Sequence, residues 1–265
     1  MNSYFEKICY DVVALARETG AFVKSERQKN KLSIESKGIN DFVTHVDKGS
    51  EQRLVSGLKQ ILPEAGFIAE ENTETAKGDV YNWVIDPIDG TTNFIHGLTP
   101  FAISIALMEH DQVVVGIVYE IGLDECFYAW KGGKAWLNGQ PIKVSDRKTV
   151  SDSLVATGFP YTMFAQMNMF LRSLDFFMRK SHGIRRLGSA ATDLAYVACG
   201  RFEAFYEYNL NPWDVAAGAL LVLEAGGKMS DFKGGNNYIF GKELVATNHH
   251  VFDEFMDDVK QLLSE

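Results

Sequence analysis

Two carboxylates three positions apart, Asp86 and Asp89, close the apolar, β-prone run Trp83-Val84-Ile85. Pro87 stiffens the turn between them, and Gly90-Thr91-Thr92-Asn93 reads as a loop that opens a helix. A buried strand ends poorly on bare negative charge unless a cation neutralises it. Oxygen-only ligands suit hard cations, Mg²⁺ above all, which takes one or two carboxylates and leaves positions for water and substrate phosphate. Where a helix starts, backbone N–H groups such as those of Gly90, Thr91 and Thr92 point outward together and the helix dipole favours an anion. Gly90 also lets the backbone approach that anion closely. The segment therefore reads as a metal site joined to an anion cradle. Thr91 as a plain helix cap is compatible with this, because a capped terminus is also where a phosphate sits.

Two other motifs with this outline fail on residue identity. With Gly90 as the central glycine of a calcium-binding EF-hand loop, ligand positions would fall on Ile85, Pro87 and His96. An aspartyl-nucleophile phosphatase turn needs Asp where this chain has Pro87. Chemistry by metal-activated water remains. Other acids, Asp47, Glu70 and Asp214, also fall at the ends of predicted elements. An acid in a first helical turn, as Asp214 would be, is explained by the macrodipole alone; its apolar neighbours Trp213, Val215 and Ala216 argue for a buried role. Shared carboxylates can hold two ions roughly 4 Å apart and support in-line displacement at phosphorus.

These residues need elements to position them. Phe5, Ile8, Val12, Leu15 and Phe22 recur at helical spacing and predict a helix over residues 1–30. A second helix is predicted from about Asp47 to Leu62, and a short strand over 66–69 ends at Glu70-Glu71. Residues 102–107, 113–119 and 125–130 read as an antiparallel meander, with a turn at Asn138-Gly139. The second half alternates: strand 153–157, helix 162–180, strand 184–187, helix 189–199, strand 201–207, and helix 212–225 opened by Pro212 and closed by Gly226-Gly227. Strands near Lys228 and over 244–246 and a last helix from about Val251 complete the pattern. A division near residue 145 is expected, with halves 1–145 and 146–265 sharing one site.

At 265 residues and 46% hydrophobic content the chain can bury a sizeable core. It shows no apolar run long enough to span a bilayer and no signal peptide, and Cys9, Cys126 and Cys199 suit reduced core positions, so a cytoplasmic protein with no membrane partner is expected. A net charge of -9 argues against a nucleic-acid partner. His45 and His96 flank the site but are poor Mg²⁺ ligands, and His249-His250 is assigned no chemistry. Arg185-Arg186 reads as a phosphate clamp or a solvated turn. Met163, Met167, Met169, Phe170 and Phe176-Phe177 read most simply as helix core, with exposed interface surface as the alternative.

Residues 83–94 resemble the first signature of the inositol monophosphatase family, and residues 211–218 with Glu224-Ala225-Gly226-Gly227 resemble its second. Asp41-x-Val43-Thr44-x-x-Asp47 and Ala69-Glu70-Glu71 resemble two further blocks in the same order. The resemblance implies an α+β fold, a layered αβαβα sandwich with two mixed or antiparallel sheets between helix layers. It implies hydrolysis of a small phosphorylated polyol or sugar with two or three Mg²⁺ per site, in a homodimer. It also implies a subunit contact in the region of Arg185-Arg186, which makes an interface the preferred expectation there. Glu70, Asp86 and the Ile88 carbonyl would hold a first metal, and Asp86, Asp89 and Asp214 a second. Thr91 and Asp47, with Glu70, form the implied catalytic set. Gly90, Thr91 and Thr92 would hold phosphate, and Ser189, Ala190 and Glu207 the substrate ring, with Lys37 and Glu71 secondary. Inositol monophosphate is the expected substrate. Adenosine 3′,5′-bisphosphate and fructose 1,6-bisphosphate are alternatives, disfavoured because residues 72–79 carry no strong basic cluster; a non-catalytic regulatory homologue is a further one. Asn209–Asn211, beside the substrate mouth, is the part least typical of the family. Li⁺ is expected to inhibit by displacing a weakly held metal. Mg²⁺-dependent phosphate release indifferent to tens of millimolar Li⁺ would count against the resemblance.

Overall fold

The computed structural model describes residues 3–29, 33–38, 41–159 and 164–263. The chain begins with α1 (Ser3–Gln28), the hairpin β1 (Ile34–Gly38) and β2 (Asp41–Thr44), then α2 (His45–Ile61), β3 (Gly66–Ala69), β4 (Tyr81–Asp89) and the short α3 (Thr91–His96). The meander β5 (Ala102–Glu109), β6 (Gln112–Glu120), β7 (Glu125–Trp130), β8 (Ala135–Leu137) and β9 (Gln140–Ile142) follows. The remainder is β10 (Leu154–Thr157), α4 (Met167–Lys180), β11 (Gly183–Arg185), α5 (Ala190–Ala198), β12 (Ala204–Tyr208), α6 (Pro212–Glu224), β13 (Lys228–Ser230), β14 (Glu243–Thr247) and α7 (Phe252–Leu263).

Strands β3 to β9 form one seven-stranded sheet in chain order, antiparallel except for the β3–β4 pair. A second, five-stranded sheet has the order β11-β10-β12-β14-β13 and mixes parallel and antiparallel pairs. Side-chain alternation along the strands sorts the core into three layers. Trp83, Ile85, Ile103, Ile105 and Ile117 pack with α1 and α2 on one face of the large sheet. Val84, Ala102, Ala106 and Val118 face the other way, onto α5 and α6, which also contact β12, β13 and β14 of the second sheet. The far face of that sheet carries Tyr206, which packs with Phe177 of α4 and Phe255 of α7. The order is therefore helix, sheet, helix, sheet, helix: the αβαβα sandwich.

Helices α5 and α6 are buried almost all round, as a layer between two sheets must be, and they are built largely from Ala, Gly, Val and Leu. Small residues let α6 lie close on the large sheet: a β-carbon on Gly116 of β6 would stand 2.7 Å from the Ala217 carbonyl.

The expected elements are all present, with shifts at their ends. Helix α2 begins at His45, two residues earlier than Asp47, because Thr44 supplies the cap. Strand β4 does not stop at Ile85 but continues to Asp89. Helix α4 begins at Met167 after a 3-10 turn at Phe164–Gln166; residues 162 and 163, including Met163, lie outside the described residues. Phe170 and Phe177 are core, whereas Leu171 and Met178 on the same helix are exposed. Cys9 and Cys126 are buried and unpaired by disulfide, and burial pushes their thiols up. No helix among the described residues is long and apolar enough to cross a membrane.

Gly116→Val should drive a side chain into the α6 backbone. Overpacking of this kind costs about 1–3 kcal/mol, and a chain of this size loses roughly 2–4 °C in Tm per kcal/mol. Thermal denaturation checks it; an unchanged Tm would show that the two layers do not bear on each other there.

Candidate active site

Residues three apart on a regular strand face opposite sides. Asp86 and Asp89 nevertheless share one side, because β4 carries a bulge between them: Asp86 pairs with Ser104 and Asp89 with Ala102, so that Pro87 and Ile88 stand opposite Ile103 alone. Pro87, which has no N–H to offer the ladder, sits inside that bulge. The extra residue sends Ile88 into the α1–α2 core and returns Asp89 to the side of Asp86.

Asp214 reaches the same place from the first turn of α6. One carboxylate oxygen from each of Asp86, Asp89 and Asp214 lies within 4.8 Å of the others. Each oxygen group has fixed donors elsewhere. Asp86 Oδ1 accepts from Ile88 N at 2.9 Å. Asp89 Oδ2 accepts from Ser189 Oγ and Ala191 N, both at 2.7 Å, at the N-terminus of α5. Asp214 Oδ2 accepts from Asn211 N at 2.7 Å, and Ser104 Oγ donates to the Trp213 carbonyl at 2.8 Å, tying this turn to β5.

Burial pushes all three carboxyls up. For Asp86, burial is followed by repulsion from Glu70, Asp89 and Asp214, and Glu70 shares a hydrogen bond with it. Asp214 is raised by burial and then by Asp89. Asp89 is raised to about 6 by burial, against its bonds to Ser189 and the α5 backbone and the pull of Arg186. Two like charges 4 Å apart repel by about 4 kcal/mol at an effective dielectric of about 20, and a helix N-terminus returns about 0.3–1 kcal/mol, ~2 at best. The dipoles do not offset the repulsion, so the ionised trio needs a cation. Three close carboxylate oxygens with no nitrogen or sulfur fit a hard divalent ion.

Beside the trio lies a second carboxylate. Asp47 is fully buried in the first turn of α2, where Thr44 and Asp47 close a reciprocal capping box: Asp47 Oδ2 accepts from Thr44 N at 2.8 Å and Thr44 Oγ1 at 2.5 Å. Its other oxygen, Oδ1, lies 3.0 Å from Thr91 Oγ1, which is also 2.9 Å from the Ile88 carbonyl. Burial raises the Asp47 carboxyl, while the bonds from Thr44 and Thr91 lower it. Gly90, not Thr91, is the cap residue of α3. Its φ of 91° is left-handed, and a β-carbon there would stand 3.1 Å from both the Gly188 and Pro100 carbonyls. The N–H groups of Thr91 and Thr92 precede the first helical bond, Phe94 N to Gly90 O.

The structure thus gathers Asp47, Glu70, Asp86, Ile88, Asp89, Gly90, Thr91 and Asp214. The Ser189 hydroxyl serves Asp89 and also caps α5 beside Ala190. Glu207 is half-buried on β12, its carboxyl raised to about 8 by burial, with Arg186 opposing and Asp214 and Asp89 adding. Arg186 therefore belongs to the mouth of the site, its guanidinium 5.1 Å from the Phe159 ring centroid. Thr92 is exposed, and the Glu71 N–H donates to buried Glu51, which also accepts from Thr73 N and so anchors the loop carrying Glu70. Lys37 lies on β1, and its side chain is outside the described residues. His45 caps the hairpin by accepting from Ser33 N.

Sequence reading missed three residues here. Thr44 was recoverable from the Thr-x-x-acid spacing of a capping box. Glu51 had no signal, being one acid on a polar helix. Asp193 had none either. It is 1% exposed in α5, its Oδ1 lacks a hydrogen-bond partner among the described residues, and burial, then Glu207 and Asp89, push its carboxyl well up.

The family model described as "Inositol monophosphatase family" matches residues 6–263. The chain belongs to the inositol monophosphatase family. Among its members, "Nus factor SuhB" of Escherichia coli K12 is 39% identical over 255 residues, 96% of each chain. "Inositol-1-monophosphatase" of Rhizobium meliloti is 39% identical over 90% of this chain and 87% of that one. The solved Thermotoga maritima IMPase superposes with a TM-score of 0.87 at 34% identity, over 95% of this chain and 96% of that one. The family thus holds members named as phosphatases and members named as Nus factors, on the fold described above.

The folded carboxyls sit above their ordinary values, so the fold binds protons more tightly than the unfolded chain does. The stability they lend is complete below about pH 4 and is lost as pH rises through the folded values, about 6 for Asp89. A divalent cation on the ionised trio counters that loss. In chelator, Tm should fall between about pH 5 and about pH 8, and the gap between Mg²⁺-loaded and chelated protein should widen over the same range. A gap that is absent, or constant with pH, would contradict the metal assignment.

Proposed function

We propose that this chain is a Mg²⁺-dependent phosphomonoesterase acting on a small phosphorylated polyol, inositol monophosphate first among them. The observation that carries it is the convergence of Asp86, Asp89 and Asp214 within 4.8 Å beside the Thr91–Asp47 pair. Glu70, Asp86 and the Ile88 carbonyl would hold one ion, and Asp86, Asp89 and Asp214 another. Bound Mg²⁺ supplies charge neutralisation at phosphoryl oxygens and a lowered pKa for water. The protein supplies the rest. Thr91 faces two acceptors with one proton; when Asp47 takes that proton, the Thr91 oxygen is free to accept one from an attacking water. Backbone N–H groups of Gly90, Thr91 and Thr92 would orient the phosphate. Glu207 and the loop at Ser189-Ala190 face the alcohol being released.

A second reading follows from the relatives named "Nus factor SuhB", as similar overall as those named phosphatases: a regulatory protein on the same fold. The retained set Asp47, Glu70, Asp86, Asp89, Thr91 and Asp214 favours catalysis, since regulation alone places no demand on all six.

Phosphate release from inositol 1-phosphate, adenosine 3′,5′-bisphosphate and fructose 1,6-bisphosphate, each with Mg²⁺ and with chelator, tests the activity and its substrate. Asp214→Asn and Asp89→Asn should each lower kcat by about a thousandfold or more, in line with several kcal/mol of lost charge stabilisation. Thr91→Ala should cost about 10²–10⁴-fold. Near-normal kcat in either Asn variant defeats the metal assignment, and a folded protein inactive on every ester tested favours the regulatory reading.

A further inference from the structure

Glu207 lies near the end of β12, and Gly158 is the residue directly after β10. These strands run parallel, in register from Val155 beside Ala204 to Thr157 beside Tyr206, so the next pair along is Gly158 beside Glu207. The Thr157 hydroxyl donates to the Tyr206 carbonyl at 2.8 Å and holds the two strand ends together. A β-carbon on Gly158 would lie 1.7 Å from Glu207 Oε1, 1.9 Å from Cδ and 2.2 Å from Oε2. All three are far below van der Waals contact. The carboxylate of Glu207 occupies the volume that any side chain at position 158 would need. The backbone of Gly158 is not in the left-handed region, so what glycine supplies there is space and not conformation: any side chain would displace the Glu207 carboxylate. Arg186, Asp214 and Asp89 are the charges that act on Glu207. It cannot yield toward the acids without adding to their repulsion.

We propose that Gly158 is a positioning residue for substrate selection: its missing side chain lets the Glu207 carboxylate fold over the end of β10, where it accepts the hydroxyls of a polyol leaving group. Gly158 thus acts through Glu207 on which ester is cleaved, at a distance from the carboxylate trio that serves the phosphate. The assignment rests on the polyol-phosphate reading above. It separates esters with hydroxyl-bearing leaving groups from those without, because only the former leave an unpaired donor when the acceptor moves.

The test compares kcat/KM for inositol 1-phosphate with kcat/KM for p-nitrophenyl phosphate, whose leaving group has no hydroxyls, and follows their ratio. Gly158→Ala should lower the ratio by about tenfold or more, which is the size expected for one displaced hydrogen-bond acceptor. Adding Glu207→Asp shortens the acid by one methylene and relieves the clash. Glu207→Asp alone should also lower the ratio, and the double variant Gly158→Ala/Glu207→Asp should stay within about threefold of Glu207→Asp alone, because the methyl then has no carboxylate to displace. An unchanged ratio in Gly158→Ala, a parallel loss on both esters, or losses that multiply in the double variant overturns the assignment. If Gly158→Ala does not fold, the double variant must, since the nearest atoms to the new methyl are all those of Glu207; a double variant that also fails to fold overturns it too. No hydrolysis of inositol 1-phosphate by the wild-type protein removes the proposed substrate class and this assignment with it. Hydrolysis with an unaltered ratio removes this assignment alone.

Discussion

Like charges brought together in a partly dry place set the terms for this structure. Asp86, Asp89 and Asp214 hold oxygens within 4.8 Å, and Glu70, Asp47, Glu207 and Asp193 stand around them. Repulsion of about 4 kcal/mol for each close ionised pair compares with a total stability of about 5–15 kcal/mol for a folded domain. Such a cluster survives only if the fold meets it with positive potential, with protons or with a cation. The fold does the first as far as geometry allows. Asp47 lies in the first turn of α2 and Asp214 in the first turn of α6. Asp89 accepts from the N-terminus of α5, and α3 begins at Gly90 beside it. Four helix N-termini thus converge on the acids, each placing the positive end of its dipole there.

The layered architecture makes that convergence possible. Helices α5 and α6 are packed between the two sheets, so their N-terminal ends are held by contacts on both sides. Their small residues permit close approach, as Gly116 against Ala217 shows. The three clustered carboxylates are then positioned by backbone donors, Ile88 N, Ala191 N and Asn211 N, with the Ser189 hydroxyl adding a further bond to Asp89. Rigid donors of this kind cost no reorganisation when charge develops in a reaction. The substrate side is built differently, from an acid folded over a bare glycine and a guanidinium against an exposed ring. On the proposed phosphatase reading, that division would let one part of the site keep its chemistry while another selects the alcohol.

Several elements were legible from residue order alone because their signals are local. Pro212 at the start of α6, the alternating meander through β5 to β7 and the Asn138-Gly139 turn between β8 and β9 each follow from backbone preferences that neighbours carry with them. The acids of the site were legible too, since Asp86, Asp89 and Asp214 each stand among apolar residues where charge is otherwise costly. The bulge at Pro87 was not, because a strand that stops and a strand that bulges look alike until the partner strand shows one residue opposite two. Arg186 read with Arg185 as a phosphate clamp, a solvated turn or a subunit contact, and Asp193 drew no reading of its own, because nothing within a few residues of either says what faces it.

By itself the sequence determined which atoms are present for chemistry: hard oxygen donors, a threonine hydroxyl and a glycine turn, in segments whose local propensities bring each to the end of an element. Only the tertiary structure decided which of them meet. The Asp214 carboxylate joins Asp86 from more than a hundred residues away, Ser189 turns to Asp89, and Glu207 takes the space beside Gly158. Local preference acts over one turn or one strand, whereas these contacts depend on how two sheets and three helix layers pack. Close-packed interiors leave little choice once that packing is made.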